Sequence, residues 1–266
     1  NKSKEFTSKY NEKNSLYLLM SCPWILKKKT INSIKATILN SHGTRLPQYR
    51  GGANWSWSLM NRVRFGFNNL YLVDDKIDTG RILTFKEFLY PFGLMKPQSY
   101  FDFYIRKQIS FLKEELGKFF NSKRSFVPKS QVNYFSSYFP RLNTKIHGWV
   151  DWSLPFEDLS YFINAFDNPF EGCKTFYKNK IVKIKSTSIN YEDPAVNSYK
   201  SGMIYRKGPD WICVVANGGS IIIEKVIYKN KNILKELKTG NRFFTPTKYC
   251  ELKKKRVIYD TKGLKA

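Results

Sequence analysis

An unbroken apolar run near the start of the chain constrains the fold more than any other feature. Residues 16–26 read LYLLMSCPWIL, which predicts a strand buried on both faces of a parallel sheet. After a Lys-rich turn, residues 34–39 predict a second strand, and residues 69–73 predict a third. Helices are predicted around the aromatic residues 55–60 and, from the spacing of apolar positions, over 101–120. Strands that alternate with helices indicate an α/β fold.

The composition excludes two broad classes of protein. Of the 266 residues, 42% are hydrophobic and 17% aromatic, so the chain is not a disordered polycation despite its net charge of +25. No apolar run reaches the roughly 18 residues of a membrane-spanning helix, and no membrane span is expected. Lys, Asn, Ile, Phe and Tyr are abundant together, as AT-rich genomes produce, which explains much of the charge without a function. Whatever its origin, the charge favours polyanionic partners such as nucleic acid, nucleotide-linked substrates or acidic membranes.

The spacing of the cysteines bears on metal binding, and the first residues of the chain bear on its location in the cell. The four cysteines lie far apart in sequence, at Cys22, Cys173, Cys213 and Cys250. In a chain with only two histidines they indicate neither a disulfide framework nor a zinc site, and no metal is expected. The polar opening sequence NKSKEFTSKYNEK is not a signal peptide, so a cytoplasmic location is expected.

The character of the sequence changes after residue 121. Residues 122–145 are rich in Ser, Asn, Lys and Pro and predict a surface linker. Beyond it, Ser153 is expected to cap a helix that has Pro155 in its first turn and runs through Phe166.

Short predicted strands follow this helix, at 175–177, 181–186, 202–206, 211–216 and 221–228. Asn217-Gly218-Gly219 predicts a hairpin, and the series as a whole predicts a small barrel. The predicted organisation is therefore a polar end (1–11), a first domain (12–121), the linker, a barrel domain (146–250) and a basic, solvated tail (251–266).

One histidine lies where ligands bind in α/β proteins. His42 comes two residues after Asn40, off the end of a predicted strand, and Asp78 follows a later strand. The carboxyl-terminal edge of the sheet is expected to gather all three side chains. An amide donor, an imidazole and a carboxylate suit acyl transfer to an amine, although each spacing also occurs in ordinary turns. His147 is expected to be structural, and the neighbouring loop carboxylates of Asp74 and Asp75 to be solvated.

The surrounding motifs resemble those of the 10-formyltetrahydrofolate-dependent formyltransferases. That family has N-x-H-x-S-L-L-P-x-Y/W-R-G followed by D-x-G-x-I, and the chain has NSHGTRLPQYRG over 40–51 and DTGRI over 78–82. GWVDWS over 148–153, NPFEGC over 168–173 and GNRF over 240–243 resemble the barrel domain of the members that act on methionyl-tRNA. The resemblance covers roughly residues 12–250.

The resemblance implies a fold and a set of roles. The first domain would be the C-terminal half of a Rossmann-like sheet, followed by an OB-like barrel. Asn40 and His42 would polarise the formyl oxygen, and Asp78 would pair with His42 and help to remove the proton of the amine. The loop of Thr44, Arg45, Leu46 and Pro47 would contact the folate, 10-formyltetrahydrofolate, which serves as formyl donor. The family has strand–helix–strand units before this point, so a fragment or a truncated relative is expected.

The acceptor stays open at this stage. Methionyl-tRNA is favoured by the two-domain layout and the positive charge, whereas a nucleotide-linked amino sugar is favoured by departures from the family pattern. The departures that favour the sugar are Thr44-Arg45 in place of Ser-Leu and the absence of a proline before Trp55; the chain also lacks the usual threonine two residues after Gly66. Trp55 and Trp57 would belong to the core or stack on a base. Two other functions are considered, a non-catalytic basic nucleic-acid-binding protein and a hydrolase of the folate formyl group. The sequence does not indicate an oligomeric state.

Overall fold

The first part of the chain forms a mixed sheet covered by a long helix. The structure is a computed structural model that describes residues 12, 15–22, 25–121, 126–193, 197–260 and 263–265. Its first elements are β1 (Leu16–Met20), α1 (Lys28–Ser33), β2 (Thr37–His42), β3 (Arg50–Gly51), α2 (Asn54–Met60), β4 (Phe65–Leu72), β5 (Ile82–Leu89) and α3 (Pro97–Phe120). The sheet has the order β1–β2–β4–β5, in which only β1 and β2 are parallel.

Two strand predictions in this part need correction. The first strand ends at Met20 and is only partly buried, because β1 lies at the end of the sheet order. The Lys-rich turn is the short helix α1, and the second strand starts at Thr37 and extends through His42. Asn40 to His42 were expected beyond the end of this strand, but they lie in it because their backbones pair with residues 69–71 of β4. Pro23 and Trp24 of the predicted strand lie outside the described residues, as do the predicted polar end 1–11 and residues 122–125 of the linker.

The helix predicted over 101–120 is confirmed, and it begins earlier, with Pro97 in its first turn. Its buried residues recur at helical spacing and pack on the sheet, where Phe111 and Leu112 meet Leu39 and Leu70. The predicted aromatic helix is also confirmed as α2. The α/β assignment therefore holds, with a sheet that is mixed rather than wholly parallel.

The second part of the chain is a curled antiparallel sheet with a helix packed on it. Its elements are β6 (Tyr138–Phe139), α4 (Thr144–His147), α5 (Phe156–Ala165), β7 (Cys173–Tyr177), β8 (Lys180–Asn190), β9 (Ile204–Lys207), β10 (Ile212–Ala216), β11 (Gly219–Tyr228), β12 (Lys231–Asn232), β13 (Phe243–Phe244), α6 (Thr247–Cys250), β14 (Ile258–Asp260) and β15 (Gly263–Lys265). The sheet order is β13–β7–β8–β11–β10–β9, and a bridge between Met203 and Arg242 brings its two ends together. The predicted Asn217-Gly218 hairpin is confirmed, since Ala216 pairs with Gly219.

Three details of the second part refine the predictions. The helix begins at Phe156 rather than behind an N-cap at Ser153, because Ser153 instead donates its hydroxyl and backbone N–H to Asp151. His147 has two internal hydrogen bonds, which suit its predicted structural role: it accepts from the Asn143 backbone N–H at Nδ1, so Nε2 carries a proton and donates to the carbonyl of residue 255. The side chains of residues 253–256 are exposed, but Val257 is buried and anchors the tail.

Within the part of the chain that the structure describes, no helix is both long and apolar enough to cross a membrane.

Candidate active site

The structure brings Asn40, His42 and Asp78 together. Nδ1 of His42 lies 3.9 Å from Oδ2 of Asp78, and both side chains are about nine-tenths buried. The expected reason for their meeting is wrong, because β4 runs antiparallel to β2 and its end points away from the end of β2. The loop after β4 instead doubles back, so that the backbone N–H of Leu72 bonds to the carbonyl of Arg81.

A glycine makes this reversal possible. A Cβ added to Gly80 would lie 1.6 Å from the carbonyl oxygen of Leu72, so no other residue fits there without moving the backbone. Asp78 itself has a φ of 53°, in the left-handed region that few residues other than Gly and Asn adopt. The D-x-G spacing of the motif is thus required by the turn that delivers the carboxylate.

Two hydrogen bonds hold the carboxylate of Asp78. The hydroxyl of Tyr71 donates to Oδ1 at 2.6 Å, and the backbone N–H of Gly51 donates to Oδ2 at 2.8 Å. Burial raises the pKa of Tyr71 far above its usual value, and the negative charge of Asp78 raises it further. Tyr71 therefore keeps its proton and remains a donor to the carboxylate.

Sequence reasoning did not identify Tyr71. Its position within a predicted strand indicates a core aromatic, and it is indeed only 3% exposed. A bulge between Leu70 and Tyr71 in the pairing with β5 aims the ring at the site. The signal available in the sequence was the hydroxyl itself, since a buried Tyr needs a polar partner.

Asn40 completes a chain of hydrogen bonds. Its Nδ2 donates to the hydroxyl of Tyr71 at 2.6 Å, so that Asn40, Tyr71 and Asp78 are linked in series. Its Oδ1 is buried and has no hydrogen-bond partner among the described residues. Buried amide oxygens are normally paired, so this unpaired one is a candidate acceptor for a hydrogen bond from a ligand. One hydrogen of the amide nitrogen is also unused by Tyr71.

The surroundings of His42 fix the position of its proton. Nε2 lies 3.0 Å from the carbonyl oxygen of Tyr49 and 2.7 Å from Oγ1 of Thr44, whose hydroxyl donates to the same carbonyl. A carbonyl oxygen only accepts, so Nε2 carries the hydrogen. Nδ1 then faces Asp78 either as a free acceptor or, when protonated, as half of an ion pair.

The loop predicted to contact the folate is largely internal. The hydroxyl of Thr44 bonds to His42, Leu46 and Pro47 are buried, and the exposed guanidinium of Arg45 lies 5.8 Å from the centre of the Phe67 ring. None of these four residues lines the cavity of about 420 Å³ that lies beside the Asp78 loop. Contact between residues 44–47 and a folate remains a prediction.

That cavity, here called the loop cavity, has apolar and polar walls. Ile31, Ile34, Ala36, Ile38, Leu72 and Val73 supply the apolar side, and Thr37, Asp74, Thr79, Gly80 and Arg81 the polar side. Asp74 is not simply solvated as predicted, because its carboxylate accepts the hydroxyl of Thr79 at 2.7 Å, whereas Asp75 is exposed.

The linker supports the site from the outside. Gln131 donates to the carbonyls of Asp78 and Gly80, and its own oxygen accepts two hydrogen bonds from Arg50. The parallel pairing of β3 with β6 adds backbone bonds between the same two segments. The Tyr-Arg-Gly part of the motif thus orders the linker against the Asp78 loop, a role that could not be read from spacing.

The two tryptophans of α2 have different surroundings. Trp55 packs at 5.4 Å from the rings of Phe101 and Tyr104, which agrees with a core role. Trp57 donates its indole N–H to the carbonyl of Pro140 in the linker. Among the residues that the structure describes, no group of three or more His, Cys, Asp and Glu side chains is placed to hold a metal ion.

Comparisons with known proteins agree with this geometry. A family model described as "Formyl transferase" matches residues 1–89, and one described as "Formyl transferase, C-terminal domain" matches residues 143–243. The methionyl-tRNA formyltransferase of Clostridium tetani is 27% identical over 224 residues, covering 82% of this chain and 68% of the relative. That of Acetivibrio thermocellus is 26% identical, covering 85% and 70%.

Solved structures share the fold. The sugar 3N-formyl transferase WlaRD, solved in the presence of dTDP and 5-N-formyl-THF, has a TM-score of 0.61 at 19% identity, covering 80% of this chain and 73% of that one. An N-formyltransferase from Helicobacter canadensis, in complex with folinic acid and dTDP-3-aminofucose, has a TM-score of 0.64 at 18% identity, covering 83% and 77%. Because the two family models together match well over half of the 266 residues, in the same order as the two parts of the structure, the chain belongs to the formyltransferase family.

Proposed function

We propose that the protein transfers a formyl group from 10-formyltetrahydrofolate to a primary amine. The observation that carries the proposal is the buried series of Asn40, Tyr71 and Asp78 beside His42, with Oδ1 of Asn40 left unpaired. Support from known proteins comes from the family itself and from the folates present in two solved structures of similar fold.

The residues suit the demands of this reaction. The amine nitrogen attacks the formyl carbon, negative charge develops on the formyl oxygen, and the amine must lose a proton. The free amide hydrogen of Asn40 would stabilise that oxygen, while its unpaired Oδ1 would accept a hydrogen of the amine. His42 and Asp78 would take up the proton, since their facing atoms are 3.9 Å apart and stabilise each other's charge. The bond between the formyl carbon and the folate nitrogen then breaks, and that nitrogen receives the proton taken from the amine, so the reaction balances without a metal.

The folate donor is proposed to keep its predicted contact with residues 44–47 and to extend into the loop cavity, which those residues do not line. The cavity's volume of about 420 Å³ lies in the range of small-molecule sites, and it borders the loop that carries Asp78. The apolar wall of Ile34 and Ile38 would face a flat ring, and Arg81 would face an anionic tail. Bound there, the folate would supply the formyl group; the protein's part is to orient it and to exclude water.

Methionyl-tRNA is the proposed acceptor. The relatives that align over more than four-fifths of this chain are methionyl-tRNA formyltransferases, which supports this acceptor. The two-part layout and the net charge of +25 support it as well. A nucleotide-linked amino sugar is the second candidate. It is favoured by the sugar formyltransferases among the structural neighbours and by Arg45, a charged residue in place of the usual aliphatic one.

An acceptor screen by mass spectrometry tests the proposal. The protein is incubated with 10-formyltetrahydrofolate and either charged initiator tRNA or a pool of nucleotide-linked amino sugars. A formylated methionyl-tRNA is expected, and the product should vanish for His42→Ala when circular dichroism shows the fold intact. A formylated sugar would replace the first acceptor by the second.

The remaining outcomes overturn the proposal. Formate released without any acceptor would indicate a hydrolase. No reaction with either acceptor, combined with RNA binding that weakens steeply with salt, would indicate a non-catalytic nucleic-acid-binding protein.

A further inference from the structure

A second cavity, here called the junction cavity, lies where the two parts of the chain and the linker meet. Its volume is about 560 Å³, and it shares no lining residue with the loop cavity. Trp57 and Met60 of α2 line one side, Tyr138 and Leu142 of the linker another, and Trp149 belongs to the barrel part. The cavity has the size of a small-molecule site.

The walls are apolar and aromatic, with one unsatisfied donor. Trp149 is 93% buried, and its indole N–H has no acceptor among the described residues. Its ring stacks on Tyr249 at 4.2 Å, so the tryptophan is held in place rather than free to turn away. Trp149 lines the cavity, and a buried N–H without a partner is an exception that an oxygen or ring nitrogen of a ligand would remove.

The rim of the junction cavity is strongly basic. Arg141 and the four residues 253–256, which read KKKR, line it. Among the described residues that line the cavity, Asp151 is the one carboxylate, and it pairs with Lys253; Lys254 pairs with Glu251, which lies outside the lining. The guanidinium of Arg256 lies 5.6 Å from the centre of the Tyr138 ring. Cations therefore exceed carboxylates at the mouth of an aromatic cavity, a setting that attracts a planar ring joined to an anion.

We propose that the junction cavity binds one nucleotide, with the base among the aromatic side chains and the phosphate on the rim. Stacking on aromatic rings and phosphate contacts from Lys and Arg are the two interactions that recognise a nucleotide without reading its sequence. The inference rests on the proposed function in one respect: both candidate acceptors carry a nucleotide.

The junction cavity is connected to the candidate active site through backbone pairing. Tyr138 lines the cavity and pairs with Arg50, while the next residue of each strand, Phe139 and Gly51, also pair. Gly51 in turn donates its N–H to Asp78. A nucleotide at the cavity would therefore lie one β-strand pair away from the carboxylate that the reaction uses.

Calorimetric titration with UDP, dTDP and AMP tests the inference and needs no turnover. One nucleotide should bind per chain, and the double variant Lys255→Glu/Arg256→Glu should weaken binding by at least roughly tenfold, because two cationic contacts become repulsive. Tyr138→Leu, at a side chain 46% exposed, should weaken it without unfolding the protein. Lys229→Glu/Lys231→Glu, a charge change of equal size in a hairpin that does not line the cavity, should have no effect.

The other outcomes are equally clear. Failure of all three nucleotides to bind, equal binding by every variant, or binding of a folate alone in the junction cavity would overturn the inference. Competition by an RNA oligonucleotide with an unpaired 3′ end would assign the nucleotide to RNA, and competition by a nucleotide sugar alone would assign it to the sugar. Formyl transfer without nucleotide binding overturns only this inference, and nucleotide binding without formyl transfer overturns only the proposed function.

Discussion

Replacing Tyr71 by Phe removes a single hydroxyl from the centre of the candidate site. The ring stays, so no cavity forms, but Oδ1 of Asp78 and Nδ2 of Asn40 each lose a 2.6 Å hydrogen bond. A hydrogen bond to a charged group contributes about 1.5–3 kcal/mol. Because each 1.4 kcal/mol is a factor of ten, formyl transfer should slow by roughly 10- to 100-fold if the hydroxyl holds the carboxylate in its working position.

Steady-state formyl transfer measures this effect, with Tyr177→Phe as the matched control. Tyr177 is also buried, at 7% exposure, and its hydroxyl accepts a hydrogen bond from Asn241, far from any carboxylate of the site. The control should retain the full rate. When Asp78 is already replaced by Asn, removing the Tyr71 hydroxyl should lower the rate of formyl transfer by less than about threefold, because the two residues act as one unit. A Tyr71→Phe variant with the wild-type rate, or with an undiminished effect in that background, would refute the reasoning.

Three further predictions concern the site and the barrel. Thr44→Val removes one acceptor of the His42 Nε2 proton and should lower the rate by roughly 2- to 10-fold with little loss of stability; an unchanged rate would contradict the assigned tautomer. Burial alone would raise the pKa of Asp167, but hydrogen bonds from backbone N–H groups and the charge of Lys185 lower it below its usual value. The ionised carboxylate therefore stabilises the folded protein above about pH 4, and this contribution is lost as the pH falls further. Chemical denaturation across this range should show the loss, and Asp167→Asn should remove this dependence and lower the free energy of unfolding at neutral pH. Ile163→Ala, at a side chain with no exposure, should cost about 2–5 kcal/mol, and a cost below 1 kcal/mol would show that the barrel core is not closely packed.

The elements that were predicted well are those with a local cause. The period of apolar residues in α3 and the Asn217-Gly218 turn are set by neighbours in sequence, and both are found. The strand β2 was misplaced because its polar end, Asn40 to His42, is stabilised by pairing with β4, which is distant in sequence. Local composition indicates a turn there, and only the sheet explains the strand.

The same distinction applies to the candidate site. Asn40, His42 and Asp78 could be singled out from the motif, but the antiparallel strand and the reversed loop that join them could not. Tyr71 and Gln131 act through hydrogen bonds to partners 7 and 53 residues away, for which the sequence has no periodic signal. The central contacts of the site are therefore a property of the tertiary structure.

The transfer of an isotope-labelled formyl group from 10-formyltetrahydrofolate to an amine tests the central claim most directly. Wild-type protein should label one of the two acceptors, and Asp78→Asn should slow the reaction by roughly 100-fold or more. Asp158→Asn, the same change at an exposed carboxylate that pairs with Arg62, should leave the rate unaltered. Labelling by Asp78→Asn as fast as by the wild type would contradict the assignment of the reaction to this cluster.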